Sequence, residues 1–333
     1  MPLSMPLSLS LSKPAVIATL AVVLLAGCAA LVETRADRRE AEWMAQTPPL
    51  GQFLEVEGRR IHVFDAGRPS ATAPDVVLIH GANGNLRDFT FDLVGRLQSE
   101  FRVIAVDRPG QGYSDGLGAA DSDPREQARV LRLAMAQLDV RQPIVVGHSY
   151  GGAVAMGWAL QAEAQTGAVV LLAGATHPWE GGLGGWYRLN ATPLGRPARA
   201  VVAALAPQDT VSAVMRAVFE PAQVPEGFID YFGPNLSLRR ASQASNTRQV
   251  NALLGYTARM QPGYAALSLP IEILHGDADT IVGLEIHSRR MAAEVASANL
   301  QVLQGAGHMP QHSHSAEVVA AIRRAANRAG LAR

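Results

Sequence analysis

Ser149 is the residue whose surroundings most directly imply chemistry. It lies in Gly147-His148-Ser149-Tyr150-Gly151-Gly152, a G-x-S-x-G pattern immediately after the apolar run 144–146 and before a helical stretch. A serine on a very sharp strand-to-helix turn has a strained backbone, and flanking glycines remove the Cβ atoms that would collide there. Such a turn pushes the hydroxyl out to where a base can reach it. The helix that follows brings partial positive charge toward an oxyanion forming on a bound carbonyl.

A serine hydroxyl is a weak nucleophile until a base accepts its proton, so an imidazole and an orienting carboxylate are required. Of the nine histidines, His308 stands in Gly305-Ala306-Gly307-His308 after the last apolar run, where glycines permit a tight loop turning back over a sheet edge. His62, in an early strand, and His287, on a helix, read as structural. His308, His312 and His314 could be imagined around a metal ion, but no carboxylate accompanies them at ligand spacing, and no metal is expected. The acid is expected in His275-Gly276-Asp277-Ala278-Asp279. Asp279 lies further past the strand and can reach around to the imidazole, whereas Asp277 reads as a turn residue bonding its own backbone.

These residues need a scaffold of strands ending near one rim. Residues 52–56 and 60–64 read as a hairpin around Glu57-Gly58. Continuous apolar runs follow at 76–79, 103–106, 144–146 and 169–172, as expected of parallel strands buried on both faces. Helical stretches at 85–97, 124–138 (opened by Asp123-Pro124) and 151–164 separate them. Between 176 and 266 no buried strand is legible and helical patterns dominate, at 197–205, 210–218 and 238–260. The alternation then resumes with a strand at 271–274, a helix over 284–295, a strand at 300–303 and a helix over 316–329. The pattern predicts an α/β core formed by 52–175 and 267–333, interrupted by a helical cap over 176–266.

The chain resembles the α/β-hydrolase superfamily, in the broad group with a serine nucleophile. The motifs that carry the likeness are His80-Gly81, Asp107-Arg108-Pro109-Gly110-Gln111-Gly112-Tyr113-Ser114, Gly147–Gly152, Gly276–Asp279 and Gly305–His308. The resemblance spans roughly Phe53 to the C-terminus and is far more specific for fold than for substrate. It implies a mostly parallel eight-stranded sheet flanked by helices, and the order Ser149, Asp279, His308 matches the nucleophile–acid–base order of that family. It also implies an oxyanion hole built from the backbone N–H groups of Ala82 and Tyr150, with Asn83 as the alternative loop donor. Haloalkane dehalogenases and epoxide hydrolases of this fold place an aspartate where Ser149 stands, so those activities are disfavoured.

Composition narrows the class further. The 333 residues are 48% apolar and 17% charged, which suits a sizeable core, and Lys plus Arg balance Asp plus Glu at 29 each. That balance gives no reason to expect nucleic acid. Half of the 18 aromatic residues fall between 176 and 266, which fits either an apolar lid or ordinary packing of a small cap. Gly181-Gly182-Leu183-Gly184-Gly185 reads as a hinge beside the site.

At the N-terminus, Lys13 precedes a short apolar stretch that ends Leu25-Ala26-Gly27-Cys28, with the only cysteine of the chain. This resembles a bacterial lipobox, which implies cleavage of residues 1–27 and acylation (palmitate among the chains) of Cys28. Residues 28–51 then read as a tether, and the folded domain as held on the periplasmic side of a bacterial envelope membrane. An uncleaved anchor helix is the alternative.

The expected activity is hydrolysis of a small, largely apolar carboxylic ester through an acyl-enzyme, with no cofactor. Carbon–carbon bond or N-terminal amide hydrolysis by the same fold is the alternative, and a lipid-anchored binding protein that has lost catalysis is another.

Overall fold

The computed structural model describes residues 12–331; the first eleven residues of the expected signal segment lie outside them. The order of elements explains how distant residues meet. Strands β1 (Gln52–Val56), β2 (Arg59–Asp65), β3 (Asp75–Ile79), β4 (Arg102–Val106), β5 (Ile144–His148), β6 (Ala168–Leu172), β7 (Ile271–Gly276) and β8 (Ala298–Leu303) form one sheet. Their spatial order is β1-β2-β4-β3-β5-β6-β7-β8, antiparallel through β1, β2 and β4 and parallel from β4 onward.

Local chemistry accounts for each part. The β1–β2 hairpin closes on Glu57-Gly58 with φ of +52° and +72°, the doubly left-handed turn that matches strand twist. β3, β5 and β6 are buried at every position, as the apolar runs at their centres require. Alternate side chains feed opposite faces. Val77, Ile79, Val145 and Leu171 enter one core layer, while Val76, Leu78, Ile144 and Val146 enter the other.

Helices α2 (Arg87–Thr90), α3 (Leu93–Leu97), α4 (Pro124–Ala136) and α5 (Tyr150–Ala162) lie between the early strands. The single helix expected over 85–97 is split, because Asp92 leaves helical geometry at φ −142°. Asp123 caps α4 by accepting the Arg125 N–H at 2.9 Å, with Pro124 in the first turn.

Between β6 and β7 the described backbone is helical: α6 (Gly185–Asn190), α7 (Gly195–Leu205), α8 (Gln208–Phe219), α9 (Phe228–Phe232) and α10 (Arg240–Met260). After β7 come α11 (Ser288–Glu294), shorter than the stretch expected, then α12 (Pro310–Ser313) and α13 (Ser315–Arg328).

The N-terminal segment departs from the expected free tether. Lys13–Gln46 is one 34-residue helix, α1. Its N-terminal part is exposed, carries Cys28 on its surface, and holds an 18-residue window of mean hydropathy 2.7, enough by length and composition to cross a membrane. Its C-terminal part docks on α7, burying Ala36 and Trp43 against Ala203 and Ala204. Arg240 ties it down through ion pairs to Glu33, Asp37 and Glu40. A tether would be solvated; this stretch is packed.

Candidate active site

β5 ends at His148, and Ser149 occupies the turn into α5 at φ +52°, ψ −118°. A serine there is strained, and the strain persists because neighbours leave no alternative. A Cβ at Gly147 would come within 2.3 Å of the Gly151 carbonyl oxygen, and one at Gly151 within 2.2 Å of the Ile79 oxygen. Ser149 donates its backbone N–H to the Leu172 oxygen at 3.0 Å and accepts from Gly152 and Ala175 at 2.9 Å.

The second partner arrives from the far end of the chain. The loop after β8 brings His308 over the sheet edge with only 5% of its surface exposed. Its Nδ1 lies 2.8 Å from Oδ2 of Asp279, which stands just past β7. Asp279 also accepts the N–H groups of Ile281 and Val282 on Oδ1, at 2.8 and 3.0 Å. Burial of this side chain works against its charge, but hydrogen bonds from His275 and His308 outweigh it and hold the carboxyl well below the usual carboxylate range. Asp277 does not bond its own turn. Its Oδ1 accepts the Gly305 N–H at 2.7 Å, so it steadies the loop that carries His308.

The loop after β3 faces the serine from the other side, where a Cβ on Gly81 would meet that of Ser149 at 3.0 Å. The Asn83 N–H is already engaged, donating to Oδ1 of Asn246 at 2.9 Å. The Ala82 N–H has no acceptor among the described residues, and Tyr150 opens α5 beside it. Arg108 is buried beneath this loop and was not singled out by sequence reasoning. It donates to the His80 and Gly81 carbonyls at 2.9 Å each and to Gln127 and Gln249 at 3.0 and 2.8 Å. Loss of solvation lowers its guanidinium to about 10. The signal for it was present in the Asp107-Arg108-Pro109-Gly110 motif; its partner on α10, Gln249, lies more than a hundred residues away.

Ser149, His308 and Ala82 line one cavity of about 270 Å³. The cap supplies most of its apolar wall through Tyr187, Val214, Met215, Val218 and Phe232. Only two of the nine aromatics between 176 and 266 reach it. Phe219 and Phe228 do not line it but pack with Phe232 and Met309, which do, and aliphatic side chains form much of the rest of the lid. The hinge-like glycines lead directly into α6, which carries Tyr187.

Other histidines have separate duties. His62 pairs with Asp107 at 2.6 Å, His312 with Asp88 at 2.7 Å, and His287 accepts the N–H groups of Thr176 and His177 at 3.2 and 3.1 Å. His308, His312 and His314 therefore do not converge. His148 and His80 are fully buried, and burial pushes each imidazole down to about 4.

The sheet order, the strained serine elbow and the acid–imidazole pair after β7 and β8 define an α/β-hydrolase architecture. The chain belongs to the α/β hydrolase family, whose model matches residues 76–321. It is 26% identical over 288 residues to an uncharacterised protein of Mycobacterium tuberculosis, covering 83% of this chain and 81% of that one. It is 25% identical over 275 residues to a 2-hydroxy-6-oxononadienedioate/2-hydroxy-6-oxononatrienedioate hydrolase of Escherichia coli, covering 79% and 91%. Among solved structures, an esterase from Exiguobacterium antarcticum superposes with a TM-score of 0.64 at 21% identity, covering 82% and 98%.

Proposed function

We propose that this protein is a serine hydrolase that cleaves a carboxylic ester of a small, largely apolar substrate through an acyl-enzyme. One observation carries the reading: His308, paired with Asp279, and the strained Ser149 share a cavity with Ala82, whose N–H has no acceptor among the described residues. In this mechanism Ser149 Oγ attacks the ester carbon while His308 Nε2 takes its proton. The N–H groups of Ala82 and Tyr150 hold the oxyanion, and Asp279 keeps the proton on Nδ1. His308 then protonates the departing alcohol. Water repeats the sequence on the acyl-enzyme, releasing the acid and restoring the serine. At about 270 Å³ the cavity falls at the lower edge of the roughly 300–1,000 Å³ typical of small-molecule sites, which favours short to medium acyl groups.

A fluorophosphonate probe should label the wild type and leave Ser149→Ala unlabelled, with aryl-ester turnover falling about 10⁴-fold or more while the fold stays intact. Labelling of both proteins alike would end the proposal. Tight ligand binding without turnover of any ester would favour a non-catalytic binder.

The Escherichia coli relative favours a second reading, carbon–carbon bond hydrolysis, which the same serine chemistry can perform. The cavity lining argues against a dicarboxylate like that relative's substrate. Among the described residues it contains no Arg or Lys, and it includes the buried carboxylate of Asp88, held below the usual range by His312 despite the opposing effect of burial. A panel of graded aryl esters beside a dienoic diketo acid separates the two.

The N-terminal helix supports a membrane-held enzyme, lipidated at Cys28 and facing the periplasm of a bacterial envelope. Several acyl chains, at about 0.8 kcal/mol per buried methylene, would anchor it firmly. Mass spectrometry of the mature N-terminus should find an acylated Cys28; a retained Met1 would leave α1 as an uncleaved anchor.

A further inference from the structure

α1 sorts its charges by face. Glu33, Asp37 and Glu40, spaced four and three apart, turn toward Arg240 at the start of α10. Arg35, Arg38 and Arg39 turn the other way, into a cleft of about 820 Å³ between α1 and the cap, bounded there by Leu205, Pro207 and Gln208. Arg35 Nε and Arg39 Nη2 each donate one bond, at 2.8 Å, to the Ala204 and Ala206 carbonyls at the end of α7. Such carbonyls lack helical partners and carry partial negative charge. A guanidinium has five N–H donors, so most remain free. Arg38 has no partner among the described residues. Glu42 is the one carboxylate of the lining, leaving it a net charge of +2 from three arginines less one acid.

We propose that this cleft is a headgroup site for an anionic phospholipid, with the three arginines on its phosphodiester. The inference rests on the membrane-held reading above and adds a binding site to it. Position selects the occupant. The apolar run of α1 ends at Val32, and at 1.5 Å per residue Arg35 to Arg39 lie about 5 to 10 Å beyond it. The polar layer of a bilayer is about 5 to 8 Å deep on each side of the hydrocarbon. A phosphate would therefore stand level with the cleft whether α1 spans the membrane or Cys28 carries the lipid. The neighbouring surface is suited to acyl chains: Leu31 and Leu205 border the cleft at 72% and 54% exposure, and Leu194 and Val201 continue an apolar stripe along α7.

The test uses the full chain, expressed with its N-terminal segment and recovered from membranes in detergent. Native mass spectrometry with added phosphatidylglycerol should show one retained lipid on the wild type. Arg38→Glu should lower that occupancy at least fivefold, with thermal midpoint and turnover of a soluble aryl ester unchanged, because Arg38 is exposed, makes no hydrogen bond or ion pair among the described residues and does not line the Ser149 cavity. Equal occupancy in both proteins would overturn the site. So would displacement of the lipid by inorganic phosphate at constant ionic strength, which would assign the cleft to a free anion. Release of the protein from membranes by carbonate would remove the membrane itself, overturning the anchor and this site together; retention with unchanged occupancy would overturn the site alone.

Discussion

At the scale of single residues, Asp279 is the clearest case of an environment setting a role. It is buried, which on its own would favour the neutral acid, yet two backbone N–H groups and two imidazoles hold it charged. A carboxylate in that state fixes the His308 tautomer with Nε2 free to accept a proton. Asp279→Asn keeps the shape but can donate toward Nδ1, selecting the wrong tautomer. Turnover of an aryl ester should fall about 10²- to 10⁴-fold, with KM changed little. Wild-type rates in the variant would show that the pair at 2.8 Å is structural only. Among the candidate residues, Ser149, Asp279 and His308 could be named from sequence because each stands in a glycine-containing turn or loop just past a strand. The choice between Ala82 and Asn83 could not. It depends on whether a side chain 163 positions away, Asn246, already holds one of the two N–H groups.

The elements divide the labour between a legible core and a cap that sequence describes poorly. α8 lends Val214, Met215 and Val218 to the cavity, so acyl-chain preference should be decided there. Val218→Phe should shift the preferred ester toward shorter chains. Each methylene denied burial costs about 0.8 kcal/mol, or roughly fourfold in kcat/KM, while the shortest esters are cleaved much as before. An unchanged chain-length profile across the ester series would place the acyl group elsewhere. The strands were predictable to within a residue or two because a run of Val, Ile and Leu buried on both faces has few other solutions. α6 and α9 were not, being five or six residues long; α9 begins and ends at glycines with φ of +74° and +62°. The docking of α1 was hidden for another reason. Ala36 and Trp43 recur at helical spacing, but the Arg240 that pairs with its acids lies some two hundred residues on.

For the whole molecule, the buried histidines make stability depend on pH well above the carboxylate range. His80 and His148 titrate in the folded protein at about 4, because burial opposes their charged forms. In the unfolded chain an imidazole takes its proton near 6.5. Between those values the unfolded state binds more protons, so lowering the pH favours unfolding. The stability these two residues contribute is present above about pH 6.5 and is lost progressively down to about pH 4. At roughly 1.4 kcal/mol per pH unit for each residue, the pair should remove about 4 kcal/mol between pH 7 and pH 5. Below about pH 4 the decline should steepen. There the buried carboxylates of Asp88, Asp107 and Asp279, all lowered in the folded state, begin to protonate in the unfolded chain first. Urea midpoints measured from pH 8 to pH 4 on a fragment lacking the apolar part of α1 would report the first slope directly. His148→Gln should flatten it by about a third, since a glutamine has no proton to gain and His287, which burial also lowers to about 4, shares the slope with His80. A flat profile from pH 7 to pH 4.5 would mean that water or local opening reaches these imidazoles, and that the site is less sealed than its packing implies.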